Sequence, residues 1–110
     1  MGKVFLMGSE TVGRGDENLG YEITMAMLKA LVRHENRPLA VVFWNTAVKL
    51  LEEGSPALPY LKALEEKGVH LLAGQLCVSE LELTGKIAAG RPATMDEILD
   101  LLLHNEVVNL

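Results

Sequence analysis

Pro38-Leu39-Ala40-Val41-Val42-Phe43-Trp44-Asn45 decides the fold of this chain. Its six apolar residues run without a polar break, so it does not read as a strand with one wet face; it reads as one buried on both sides, as in parallel sheets. Pro38 opens the strand and Asn45 stops it. The same signature recurs on either side, in Lys3-Val4-Phe5-Leu6-Met7, ended by Gly8-Ser9, and in Val69-His70-Leu71-Leu72-Ala73.

Amphipathic segments fill the intervals. Asp16 is a helix N-cap, and Leu19, Ile23, Ala26, Met27 and Ala30 follow at spacings of three and four, predicting a helix to about His34 with that stripe buried. Thr46 to Glu53 reads as a short helical segment closed by Gly54, and Ser55-Pro56 restarts a helix with Leu58, Leu61 and Leu64 on its buried side. Gly68 ends it. Beyond the third strand, Gly74-Gln75-Leu76-Cys77 reads as a turn into a helical segment, Val78 to Leu83. Gly85, Gly90 and Pro92 mark turns around a very short strand at Ile87-Ala88-Ala89. Thr94-Met95-Asp96-Glu97 is a capping box for a last helix to about His104, and Glu106 to Leu110 closes the chain as a strand.

Strands alternating with helices through short connections imply an α/β class: a single Rossmann-like domain over residues 1–110, with an open, mainly parallel sheet of four to five strands and helices on both faces. The 110 residues are enough to bury a core without disulfides or metal, and one cysteine excludes an internal disulfide. No internal repeat, low-complexity stretch or linker divides the chain. With no signal-peptide pattern after Met1-Gly2-Lys3 and no apolar run long enough to span a bilayer, the expectation is a cytoplasmic protein free of membranes. A net charge of -5, with ten scattered basic residues, argues against nucleic acid. The 49% hydrophobic content exceeds what one small domain needs, which points to burial against copies of itself.

In open parallel sheets, ligands bind beyond the carboxyl ends of the strands. That rule selects the loop Gly8 to Glu17, the junction Trp44-Asn45-Thr46, and the turn Gly74 to Cys77. Gly13-Arg14-Gly15-Asp16 lacks the third glycine of a dinucleotide fingerprint and reads as a mobile loop, although Arg14 can draw an anion toward the site. Asn45 either starts the next element or contacts ligand. Ser55 and Thr94 are caps rather than nucleophiles. His34, His70 and His104 lack the spacing of a zinc site, so neither a metal nor another cofactor is expected. Cys77, the single cysteine, is either a small buried hydrophobe or a nucleophile, since thiols at helix N-termini can be activated.

Taken in order, Gly13-Arg14-Gly15-Asp16-Glu17-Asn18-Leu19-Gly20, Phe43-Trp44-Asn45-Thr46-Ala47-Val48-Lys49-Leu50, Glu53-Gly54-Ser55, Leu64-Glu65-Glu66-Lys67-Gly68-Val69 and Gly74-Gln75-Leu76-Cys77 resemble the DsrE/DsrF superfamily. The likeness is greatest to its YedF branch, and it continues to Gly90 and Met95. No single word is diagnostic; their order and spacing carry the resemblance.

The resemblance implies a sulfur-relay protein in which Cys77, after the third strand, holds sulfane sulfur as a persulfide and exchanges it with a donor or acceptor protein. It also implies a trimer or hexamer, and the branch carries a link to selenium metabolism. Asn45, Gly13, Arg14 and Gly74 would line the substrate pocket. Two departures narrow this picture. The branch places two cysteines at this turn, the first of which falls on Gly74. It also usually carries an N-terminal sulfur-carrier domain, whereas this chain begins at the first strand of the unit, so the expectation is that a separate protein serves as donor or acceptor. The competing expectation is a non-enzymatic oligomeric binding module of the same fold, with Cys77 merely packed.

Overall fold

A computed structural model describes residues 2–110. Five parallel strands make one sheet: β1 (Lys3–Met7), β2 (Ala40–Phe43), β3 (His70–Gly74), β4 (Arg91–Ala93) and β5 (Glu106–Asn109), in the order β4-β3-β2-β1-β5. β2 lies at the centre, with Val42 opposite Leu6 on one side and Leu72 on the other, and all four of its residues are buried. This is the environment its unbroken apolar run demands, and the expected α/β class and sheet are met.

Helices α1 (Glu17–Arg33), α2 (Leu58–Glu66), α3 (Gln75–Glu80) and α4 (Met95–Leu103) connect the strands, with a 3₁₀ segment at Asn45–Leu51. One face of the sheet, through Met7, Val41, Phe43, Leu71 and Ala73, packs against α1, the 3₁₀ segment, α2 and α3 in the main core. The other face, through Val4, Leu6, Ala40, Val42 and Leu72, is covered by α4 alone, by way of Ile98, Leu101 and Leu102. Right-handed crossovers explain the imbalance, because the chain steps from β1 to β4 in one direction and returns to β5 in the other.

Four expectations are corrected. In α1, the buried side is Gly20, Thr24 and Leu28, whereas Leu19 is 55% exposed and Ile23 43%. The preceding loop turns the helix this way: the Val12 amide donates to the Gly20 carbonyl at 3.1 Å and the Thr24 hydroxyl to the Glu10 carbonyl at 2.9 Å. A side chain at residue 20 would forbid that approach, since its Cβ would stand 2.8 Å from the Thr11 Cβ. Asp16 caps as expected, accepting the Leu19 amide at 2.8 Å.

The second correction concerns Arg91-Pro92-Ala93, which is a strand rather than a turn. Pro92 is tolerated because β4 is the edge of the sheet. Ile87, expected in a short strand, makes only an isolated bridge to Glu52. The third is that α3 starts at Gln75 rather than Val78, so Cys77 lies inside the helix instead of in a turn before it. Ser55 stands further from its helix than expected. Its hydroxyl accepts the Ala57 amide at 3.2 Å, and α2 begins at Leu58.

Candidate functional site

The connections after β1, β2 and β3 pass over the main-core face, whereas the connection after β4 passes over the other. Adjacent strands β3 and β4 therefore send their chains to opposite sides, and a crevice must open between them at their carboxyl ends. A cavity of about 410 Å³ occupies that place. Gly74 and Ala93 end the two strands at its floor, α3 and α4 form its walls, and Trp44 and Asn45 close it from β2.

Cys77 lines this cavity, half-buried on the first turn of α3. Its sulfur accepts the backbone amide of Asn45 at 3.0 Å. Asn45 reaches that geometry with a left-handed backbone, φ 53°, a conformation asparagine tolerates better than most residues. The contribution of Asn45 is thus a main-chain N–H aimed at sulfur, a donor placed where negative charge develops when a thiol reacts. The amides that follow Cys77 belong to the body of α3, which begins at Gln75.

Gly74 completes the arrangement. A Cβ there would lie 3.3 Å from the Cys77 sulfur and 3.3 Å from the Trp44 Cβ, so the missing side chain is the space beside the thiol. Two of the three segments selected from sequence therefore converge, bringing Asn45, Gly74 and Cys77 together.

Gly13 and Arg14 do not join them. Both are exposed, and neither lines the cavity. The loop carrying them is hydrogen-bonded back onto α1 through Glu10 and Val12, and at its start a Cβ on Gly8 would stand 3.8 Å from the Trp44 indole nitrogen. His34, His70 and His104 are exposed, well away from the cavity walls.

Gln75 and Leu76 of the selected turn also line it, and Glu80, Leu81, Ala93, Met95 and Ile98, which lie outside the segments selected from sequence, complete the wall. The start of α4 reaches the cavity because Thr94 caps it, accepting the Glu97 amide at 3.2 Å. The Glu97 carboxylate turns to Arg91 instead of closing the capping box, taking both guanidinium nitrogens at 3.2 and 2.6 Å. That hydrogen bond, with the charge behind it, holds the Glu97 carboxyl below its usual range. No helix among the described residues is long and apolar enough to cross a membrane.

No family model matches the sequence, and no curated protein matches it. Solved structures do match in fold. The YchN protein from E. coli superposes with a TM-score of 0.74 at 14% identity, covering 100% of both chains. A protein of unknown function from Methanobacterium thermoautotrophicum matches at 0.66 and 14% identity, over 98% of this chain and 97% of its own. A conserved protein of unknown function from Bacteroides thetaiotaomicron matches at 0.63 and 11% identity, over 98% and 94%. At such identities the agreement is one of architecture: the chain has the Rossmann-like α/β fold of these neighbours, the fold that the resemblance to DsrE/DsrF proteins implies.

Proposed function

We propose that this protein relays sulfur, carrying sulfane sulfur as a persulfide on Cys77. The observation that supports this most is the Cys77 sulfur on the wall of an open crevice, with the Asn45 amide directed at it from 3.0 Å. In the proposed step the Cys77 thiolate attacks the outer sulfur of a donor persulfide, R–S–SH. A bond forms between Sγ and that sulfur, the donor S–S bond breaks, and R–S⁻ leaves with the electron pair. No net oxidant is required. The acceptor thiolate reverses the step by attacking the outer sulfur on Cys77.

Gly74 suits this role because the space beside Sγ can take a second sulfur atom. Cys77 is the single cysteine of these 110 residues, so donor and acceptor thiols come from outside this domain. Assembly into a homo-oligomer, a trimer or hexamer, accompanies the proposal. It is supported by the unpartnered apolar side chains of α4, Leu99 at 44% exposure and Leu103 at 79%, and by the Leu19 and Ile23 stripe of α1. Sedimentation at micromolar concentration tests it.

The alternative, a binding module with an inert thiol, draws on the packing of Cys77 against the main core. Native-state alkylation separates the two. A relay thiol reacts in the folded protein at a rate approaching that of a free thiol, whereas a packed one reacts only as the chain unfolds.

A further inference from the structure

The cavity that holds Cys77 has an unusual charge balance. Its wall is apolar at Trp44, Leu76, Leu81, Ala93, Met95 and Ile98, and its one carboxylate is Glu80. No lysine, arginine or histidine lines it. The nearest strand cation, Arg91, is committed to Glu97 and borders other hollows of the surface. A small anion approaching the sulfur thus meets the Glu80 carboxylate and no cationic side chain on the wall, in a chain already at -5.

The apolar part of the wall is open. Leu76 is 65% exposed and Met95 51%, one from each side of the crevice. Large apolar side chains left in water at the edge of a cavity mark a surface that another apolar surface covers. The volume of about 410 Å³ accepts a few amino-acid side chains and is far more than an inorganic sulfur donor fills.

We infer that the cavity is built for a protein segment that presents its sulfur between apolar side chains with a basic residue beside it, and that Glu80 sets this specificity by pairing with the basic residue and repelling anionic donors. The inference rests on the sulfur-relay reading only for the identity of the reacting atom.

Two short peptides test it on the full chain, Leu-Cys-Lys and Gly-Cys-Glu, each supplied as a mixed disulfide with thiopyridine. The Cys77 thiolate attacks the peptide sulfur, a Cys77–peptide disulfide forms, and thiopyridine leaves with the electron pair and is followed by absorbance. Rates are divided by those of the same reagents with free cysteine. Leu-Cys-Lys is expected to react at least about tenfold faster, since one charge is exchanged for its opposite beside Glu80 and an apolar contact is added. In Glu80→Gln the ratio falls severalfold, in Glu80→Lys the charge preference reverses, and Leu76→Ser removes the apolar part. Both positions are exposed, so the variants are expected to fold, which circular dichroism checks.

Equal rates, or a preference for Gly-Cys-Glu, overturn the inference. So does the absence of reaction with either peptide in the native state, whether a packed thiol or a second copy of the chain over Leu76 and Met95 is its cause. So does efficient sulfur loading from thiosulfate, since that makes a small anion the occupant. Failure of the relay reading looks different: peptide selectivity persists while no sulfur atom is ever added to Cys77.

Discussion

Replacing Gly74 by alanine adds one methyl group at the point where packing and reactivity meet. Its Cβ would lie 3.3 Å from the Cys77 sulfur, 3.3 Å from the Trp44 Cβ and 3.7 Å from the Phe43 carbonyl oxygen. Ordinary carbon contacts fall at about 3.5–4.0 Å, so two of the three are short by a few tenths of an ångström. The backbone at residue 74, φ -56° and ψ 117°, is open to alanine, so no strain arises there. Trp44 Cβ is fixed by the chain that leaves β2, and the sulfur, which can rotate about χ1, is what yields. Overpacking of this size costs about 1–2 kcal/mol, and the reduced freedom of the unfolded chain returns about 0.4–1 kcal/mol. The expected net loss is between about 0 and about 1.6 kcal/mol, read as a lower midpoint in urea unfolding with unchanged slope. Rotation of the sulfur away from Asn45 also forfeits its hydrogen bond, worth about 1 kcal/mol, so alkylation of Cys77 should slow about fivefold. A variant more stable than wild type with an unchanged alkylation rate would refute the claim that Gly74 keeps the space beside the thiol clear.

Three further outcomes are expected. Thr24→Val, at a side chain with no exposed surface, leaves the Glu10 carbonyl without the hydroxyl that donates to it at 2.9 Å, and should cost about 1–2 kcal/mol by urea unfolding while exposing the 8–16 loop to proteolysis. Gly90→Ala combines a left-handed φ of 70° with a Cβ only 2.6 Å from the Leu71 carbonyl oxygen, and a loss of about 3 kcal/mol or more in the same assay is expected. Arg91→Gln removes the partner that lowers the Glu97 carboxyl. A carboxyl held low in the folded state stabilises above its ordinary pKa, and that contribution disappears as pH falls through the folded value. The melting-temperature gap to wild type should therefore be present at neutral pH and close below about pH 4.

The three strands β1 to β3 were legible because burial on both faces leaves an unbroken apolar run, Ala40 to Phe43 above all. The burial of α1 was not, because the helix carries two apolar stripes. The sequence offers Leu19-Ile23-Ala26-Ala30 as readily as Leu28 with its half-buried neighbours Met25, Leu31 and Val32, and only the loop anchored at Gly20 and Thr24 chooses between them. Pro92 disguised β4, since a proline argues against a strand until the strand is known to lie at an edge.

For the site, the switch of crossover direction after β4 is what places a crevice beside Cys77 and Gly74, and it brings the start of α4 into the wall. That switch depends on sheet order, which local pattern does not encode. Asn45 was selected for its place after β2, but its role through a main-chain N–H is a matter of backbone conformation. Arg14 and Gly13 follow β1, whose loop is drawn away onto α1.

Intact-mass spectrometry of the folded protein, incubated with a persulfide donor and then freed of it, tests the relay proposal most directly. The account predicts that the wild-type chain gains the mass of one sulfur atom, that a reductant removes it, and that Cys77→Ser gains nothing. A wild-type chain that stays unmodified under conditions that load an established persulfide carrier, or a Cys77→Ser chain that gains the same mass, would contradict it.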